Sequence, residues 1–290
     1  MINQSYKRQI ETSLELALSS FLEEEIRLSK KEYDSLTQGY ATFFKVIFDY
    51  FQGNLESPNF SEIRHIFFQI LIIIYREAYR KDPQVAHYLL DGFITGYPNL
   101  PNTGLISKYC SLGNASIACR ESIKSENKLL VWQQSCRQVQ AYNEFLNGLL
   151  AYLIILWRAA KNKSIKTTVF SASYSNKLEQ FKTLTGGDNG AFYLIFRLAQ
   201  PKLRNAIAHE TIWLDSPANK VRYIDGKQPK EFEINLADFL ALASTGSHLL
   251  QPYLAAISSI AIIECASEHE KSLLPDNIIE LFNFIPGQNL

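Results

Sequence analysis

Apolar residues recur every three to four positions through residues 4–28, 31–51, 61–80 and 83 to about 95, which predicts four helices, each with one buried face. Turn-formers separate them: Gly53-Asn54 with Pro58, Asp82-Pro83, and a cluster running from Gly96 to Gly104 that holds Pro98 and Pro101. That cluster is the longest in the chain, so a boundary is expected between it and about residue 125, giving an N-terminal helical unit over 1–125 and a second unit over 126–290. The second unit opens on the longest helical pattern, about 126–161, carried by Trp132, Val139, Leu146, Leu149, Leu153 and Leu156. A helix is predicted at 175–183, then a breaker from Gly186 to Gly190, then a helix from about Ala191 with Asp188 or Asn189 as its cap. Pro201 falls inside this last pattern, so either the helix kinks there or a fresh helix starts with Pro201 in its first turn. Both alternatives make residues 204–209 helical.

Beyond residue 210 the period shortens from helical to alternating. Residues 211–214, 221–224 and 231–234 read as short strands divided by Asp215-Ser216-Pro217 and Asp225-Gly226, a small antiparallel flap. Asn235 can cap the next helix with Asp238 at its third position. An apolar helical pattern then runs to about Glu268, with an interruption expected at Gly246 or Pro252. The fold class is all-α in the main, a helical bundle with a β-flap and an N-terminal helical domain.

A content of 47% hydrophobic and 20% charged residues belongs to a core-forming, soluble protein. The most apolar runs, 63–75 and 145–157, contain Gln69 and Asn147 and fall short of the roughly 20 residues a membrane span needs, so both read as buried helix and no membrane partner is expected. No secretory pattern opens the chain, and Cys110, Cys119, Cys136 and Cys265 form no CxxC pair, which suits reduced thiols in a cytoplasmic protein. Zero net charge argues against coating nucleic acid by bulk electrostatics, but the charge is uneven. Residues 158–230 hold 13 Lys/Arg against 5 Asp/Glu, whereas 231–290 hold only Lys271 against 8 acidic residues. Two readings follow: a local positive surface that meets a phosphate backbone, or internal pairing of the basic stretch with the acidic tail.

The basic stretch brackets Leu203-Arg204-Asn205-Ala206-Ile207-Ala208-His209. At about 100° per residue, Leu203, Ala206 and Ile207 share one side, while Arg204, Ala208, Asn205 and His209 form a polar stripe on the other. Arg204 and His209 lie about 140° apart on this wheel, so they converge only if the arginine bends or if a second copy faces the first. Small Ala208 lets another helix approach. Arg80 and His87 satisfy a similar spacing, but Asp82-Pro83 lies between them and breaks the helix. His65 reads as a packed or half-exposed helical residue, and His248 and His269 lack ligand partners one turn away, so no metal is expected. Thr185 to Gly190 lacks the lysine and serine of a phosphate loop.

With the helices before it and the strands and long helix after it, Arg-Asn-Ala-Ile-Ala-His resembles the HEPN family of all-helical, usually dimeric RNA-cutting domains, over about residues 126–290. The resemblance implies a metal-independent, cofactor-free ribonuclease site in which Arg204, Asn205 and His209 are catalytic, with RNA as substrate and a homodimer formed through the motif helix. Arg197, Lys202, Lys161, Lys163 and Lys166 are the candidate RNA-binding residues. It further implies an effector of toxin–antitoxin or antiviral-defence type, with an antitoxin or other regulatory protein as a partner. The chemistry suits the residue types. An unperturbed imidazole titrates near pH 6.5 and so accepts or donates a proton near neutrality, and a guanidinium offers a fixed fork of donors to phosphate oxygens. The expected products end in a 2′,3′-cyclic phosphate and a 5′-hydroxyl. A non-catalytic HEPN module that binds RNA, nucleotide or a protein partner shares the same helix, and a purely structural helical scaffold is the third reading.

Overall fold

Lys128–Ala160 (α5), the longest helical pattern, is also the longest helix among the described residues and the axis around which they pack. The structure, a computed structural model, describes residues 41–52, 58–187, 189–226 and 230–282. Before α5 come α1 (Ala41–Gln52), α2 (Pro58–Tyr79), α3 (Pro83–Ile94) and α4 (Ile106–Ile123). After it come α6 (Tyr174–Thr185), α7 (Tyr193–Leu198), α8 (Pro201–Ala208), strands β1 (Ile212–Asp215), β2 (Lys220–Asp225) and β3 (Lys230–Asn235), then α9 (Leu236–Ser247), α10 (Leu250–Cys265), α11 (Glu268–Lys271) and α12 (Asp276–Phe282). The protein is mainly helical, and the described residues include one small sheet, in the order β1-β2-β3 and antiparallel throughout. The predicted helix at 4–28 and the first part of the one at 31–51 lie outside the described residues.

Local sequence explains most of the boundaries. Asp82 caps α3 by accepting from the Val85 amide at 3.1 Å, with Pro83 in the first turn, so the Asp82-Pro83 break is a helix start. Asn127 caps α5 through the Leu129 and Leu130 amides. Pro201 opens a fresh helix, which decides between the two alternatives at that position. The apolar stretch after Asn235 breaks at His248-Leu249, between the two expected positions, and Pro252 sits in the first turn of α10.

Two sequence expectations need correction. Residues 106–123, where the sequence pattern predicts no helix, form α4, which packs along α5. Its apolar residues follow no sharp periodicity because small and polar residues, Gly113, Ala115 and Ser116, are buried on the contact face. In consequence one hydrophobic cluster runs from Phe43 to Phe282, and α2 and α3 of the expected N-terminal unit pack against α5 and α10 of the second. The second correction concerns His209, which lies one residue past the end of α8. By length and composition α5 and the α9–α10 run could each cross a membrane, but 72% of each apolar window is buried inside the fold, as in core helices.

The packing of α2 and α3 on α10 buries a polar cluster. Glu264, whose side chain is 8% exposed, accepts a hydrogen bond from the Tyr75 hydroxyl at 2.8 Å and meets Nδ1 of His87, whose Nε2 lies 3.4 Å from Asp91. Burial pulls the His87 pKa down, but the Glu264 hydrogen bond and charge, with Asp91, outweigh it and hold the imidazole above its usual 6.5. A histidine with a raised folded pKa contributes stability that is complete below the unfolded value and is lost as pH rises through the folded one. Urea unfolding is therefore expected to show stability falling as pH climbs above about 6.5, with the slope flattened in His87→Gln. An equal slope in that variant would show that another group sets it.

Candidate functional site

The motif helix α8 is anchored by an asparagine. Asn143, fully buried on α5, accepts the backbone amide of Gln200 at 2.8 Å and the Tyr174 hydroxyl at 3.2 Å, and donates to the Val139 carbonyl at 2.9 Å. One side chain thus ties the start of α8 and the first residue of α6 to the central helix. Leu203 and Ala206 are buried and Ile207 is half-buried, the apolar side that the helical rotation assigned. The other side presents Arg204 and Asn205, half-buried, and Ala208, exposed.

Arg204 and Asn205 are brought together. The Arg204 guanidinium donates through Nε to Oε1 of Glu144 at 2.6 Å, with Nη2 at 2.5 Å from the same oxygen, and through Nη1 to the Asn205 side-chain oxygen at 2.9 Å. Asn205 in turn donates to Asp225, at the end of β2, at 3.3 Å. The flap packs against α8 and supplies this carboxylate. Two acids therefore hold the arginine–asparagine pair in place.

His209 is not part of this network. It is the C-cap residue of α8, exposed, and its imidazole makes no hydrogen bond among the described residues. The end of the helix fixes its position. The Thr211 amide reaches back to the Ala206 carbonyl at 2.8 Å and the Glu210 amide to Ile207 at 3.2 Å, the paired bonds of a Schellman ending, with Glu210 at φ 58° where glycine is usual. A left-handed non-glycine residue costs about 1–2 kcal/mol, so Glu210→Gly is expected to raise stability by up to about 1 kcal/mol after the added chain entropy of glycine. Urea denaturation checks this, and a destabilised variant would mean the glutamate side chain makes a contact worth more than the strain.

The candidate RNA-binding residues divide into two groups. Arg197, on α7, lies over the Tyr193 ring at 5.1 Å, and Lys202, on α8, lies over Phe232 at 4.4 Å, so both flank the motif and stay exposed. Lys161, Lys163 and Lys166 are exposed beyond the C-terminal end of α5. At about 1.5 Å rise per residue, the first of them is about 25 Å along the axis from Glu144, which separates the group from the motif. Elsewhere the basic stretch pairs internally: Lys220 meets Glu233, and Arg222 meets Asp215 at 2.8 Å and Glu231 at 2.6 Å. For the flap the pairing reading holds; for Lys161, Lys163, Lys166, Arg197 and Lys202 the charge remains outward.

The motif alone does not point to Glu144, Asp225, Asn143 or Lys177. A signal was present for two of them, because Asn143 and Glu144, like Asn147, are polar residues at or beside the start of the most apolar stretch of the chain, where buried polar groups require partners. Lys177 is buried on α6 and donates to the Asn147 carbonyl at 3.1 Å and to its side-chain oxygen at 2.9 Å. Burial, then the Lys108 charge, lower its ammonium to about 8; Glu144 acts in the opposite direction and Arg204 adds to the lowering. Among the described residues, no three His, Cys, Asp or Glu side chains gather as a metal ion would require.

No protein-family model, curated protein or solved structure matches this chain.

Proposed function

We propose that the chain is a metal-independent endoribonuclease of the HEPN kind, acting as a homodimer in the cytoplasm, with a role in toxin–antitoxin or antiviral defence and an antitoxin or regulatory protein as its restraint. The observation that carries this reading is the preorganised Arg204–Asn205 pair, held by Glu144 and Asp225, on the same short helix that ends in an exposed His209. In the reaction the substrate 2′-hydroxyl loses its proton to an imidazole, its oxygen bonds to phosphorus, and the bond to the 5′-oxygen breaks as that oxygen takes up a proton. The Arg204 fork neutralises the charge that grows on the equatorial phosphate oxygens, and Asn205 fixes the plane of that fork. The products are a 2′,3′-cyclic phosphate and a 5′-hydroxyl.

A specific contact favours a second reading, a non-catalytic or restrained module. Nε and Nη2 of Arg204, the two donors best placed for a phosphate, are both directed at Glu144. Incubation of purified protein with transfer RNA and a structured RNA in EDTA separates the two. Cleavage that survives EDTA and leaves cyclic-phosphate ends supports the nuclease; a folded dimer that binds RNA without cutting it supports the module, and Glu144→Gln then tests whether releasing Arg204 restores cutting.

A further inference from the structure

The positive charge around the motif extends beneath it. Glu144, Asn147 and Gly148 occupy successive turns of one face of α5. Arg204 lies on Glu144, the Lys177 ammonium on Asn147, and the stem of Lys108, from α4, crosses Gly148, where an added Cβ would come within 3.1 Å of its Cδ. Three cations from α4, α6 and α8 thus converge on a stretch of α5 that offers one carboxylate. Two of the three Lys177 N–H donors are used on Asn147, and the third has no acceptor among the described residues. Buried ammonium groups ordinarily have their charge paired.

We propose that Lys108, Lys177 and Arg204 form a subsite for a phosphate group of the RNA backbone, seated over the Glu144–Gly148 face of α5. The assignment of the phosphate to RNA rests on the nuclease reading; the anion preference rests on the charge balance alone. Arg204 and Glu144, with 27% and 32% of their side chains exposed, form the entrance. An entering phosphate takes the guanidinium from Glu144, since the two non-bridging oxygens of a backbone phosphate accept from a fork and an ammonium together, which one carboxylate oxygen does less well. It also supplies the missing acceptor to Lys177. Burial first, and then the Lys108 and Arg204 charges, lower the Lys177 pKa; an anion in the subsite opposes that lowering, so binding takes up a proton.

The test follows the Lys177 side-chain carbon resonances of the full chain against pH, alone, with inorganic phosphate, and with an uncleavable 2′-deoxy-substituted oligonucleotide. The expected result is a midpoint near 8 that rises by about one pH unit or more with both ligands, and a rise that disappears in Lys108→Ala. A midpoint unmoved by either ligand overturns the subsite, even if the protein cuts RNA. A midpoint moved by both in a protein that never cuts RNA upholds the subsite and removes the nuclease. A response to inorganic phosphate but not to the oligonucleotide overturns the assignment to RNA. In a cutting protein Lys177→Met is expected to raise KM about tenfold or more with little change in kcat, and Lys177→Arg to recover part of it.

Discussion

Gly246→Ala is expected to destabilise the protein by about 2 kcal/mol, the reverse of what the same substitution does in most helices. Gly246 lies inside α9, where alanine ordinarily gains about 0.5–1 kcal/mol over glycine. Here an added Cβ would stand 2.5 Å from Cδ1, 2.8 Å from Cγ and 2.9 Å from Cβ of Tyr142. Those atoms are at the root of the tyrosine, so no rotation of the ring removes the clash, and the ring itself is fully buried on α5. The two helices must separate, and overpacking of this kind typically costs about 1–3 kcal/mol. Gly92 on α3 poses the same problem against the Tyr152 ring, 2.5 Å from Cε1, and that ring is pinned by the Thr103 hydroxyl 3.0 Å from its own. Denaturant unfolding measures the effect through a lower midpoint at unchanged slope. A Gly246→Ala protein as stable as wild type would show that α5 and α9 lie further apart than described.

Why some of this was legible in the sequence and some was not has a physical explanation. Helices with one apolar face, such as α3, declare themselves because water on one side and core on the other impose a 3.6-residue period, whereas α5 is legible from the length of its apolar run, its residues 149–156 being buried on every side. The flap was legible from its alternation and its Asp215 and Asp225-Gly226 turns. α4 was not, because its contact face is built from Gly113, Ala115 and Ser116, which let helices approach closely but carry no hydrophobic signal. The end of α8 was also hidden, since a Schellman ending usually announces itself by glycine and here carries Glu210. At the site, residues adjacent in sequence were found, and residues adjacent only in space were not. Arg204 and Asn205 belong to one motif, whereas Glu144 lies 60 positions earlier and Asp225 lies across the flap. An ion pair between distant positions has no spacing to read.

The contrast between Arg204 and His209 leads to the sharpest functional expectation. On the proposed nuclease reading, His209→Ala should lower RNA cleavage by about 100-fold or more while leaving stability within about 0.5 kcal/mol of wild type, because an exposed imidazole with no hydrogen bond among the described residues contributes little to folding. Arg204→Ala should lower cleavage at least as far, and should also cost up to about 1 kcal/mol, since it strips Glu144 and Asn205 of a half-buried partner. The two inactive variants then report on each other. The helix ends before His209 and Arg204 is drawn back onto α5, so within one chain nothing brings them together, whereas exposed Ala208 and His209 leave the end of α8 open to a second copy. If each site takes its arginine from one copy and its histidine from the other, mixing the variants builds heterodimers with one intact site. Random pairing should then restore about a quarter of wild-type activity. A mixture as inactive as its parents would place both residues in one chain and require the arginine to leave Glu144 and fold toward the helix end.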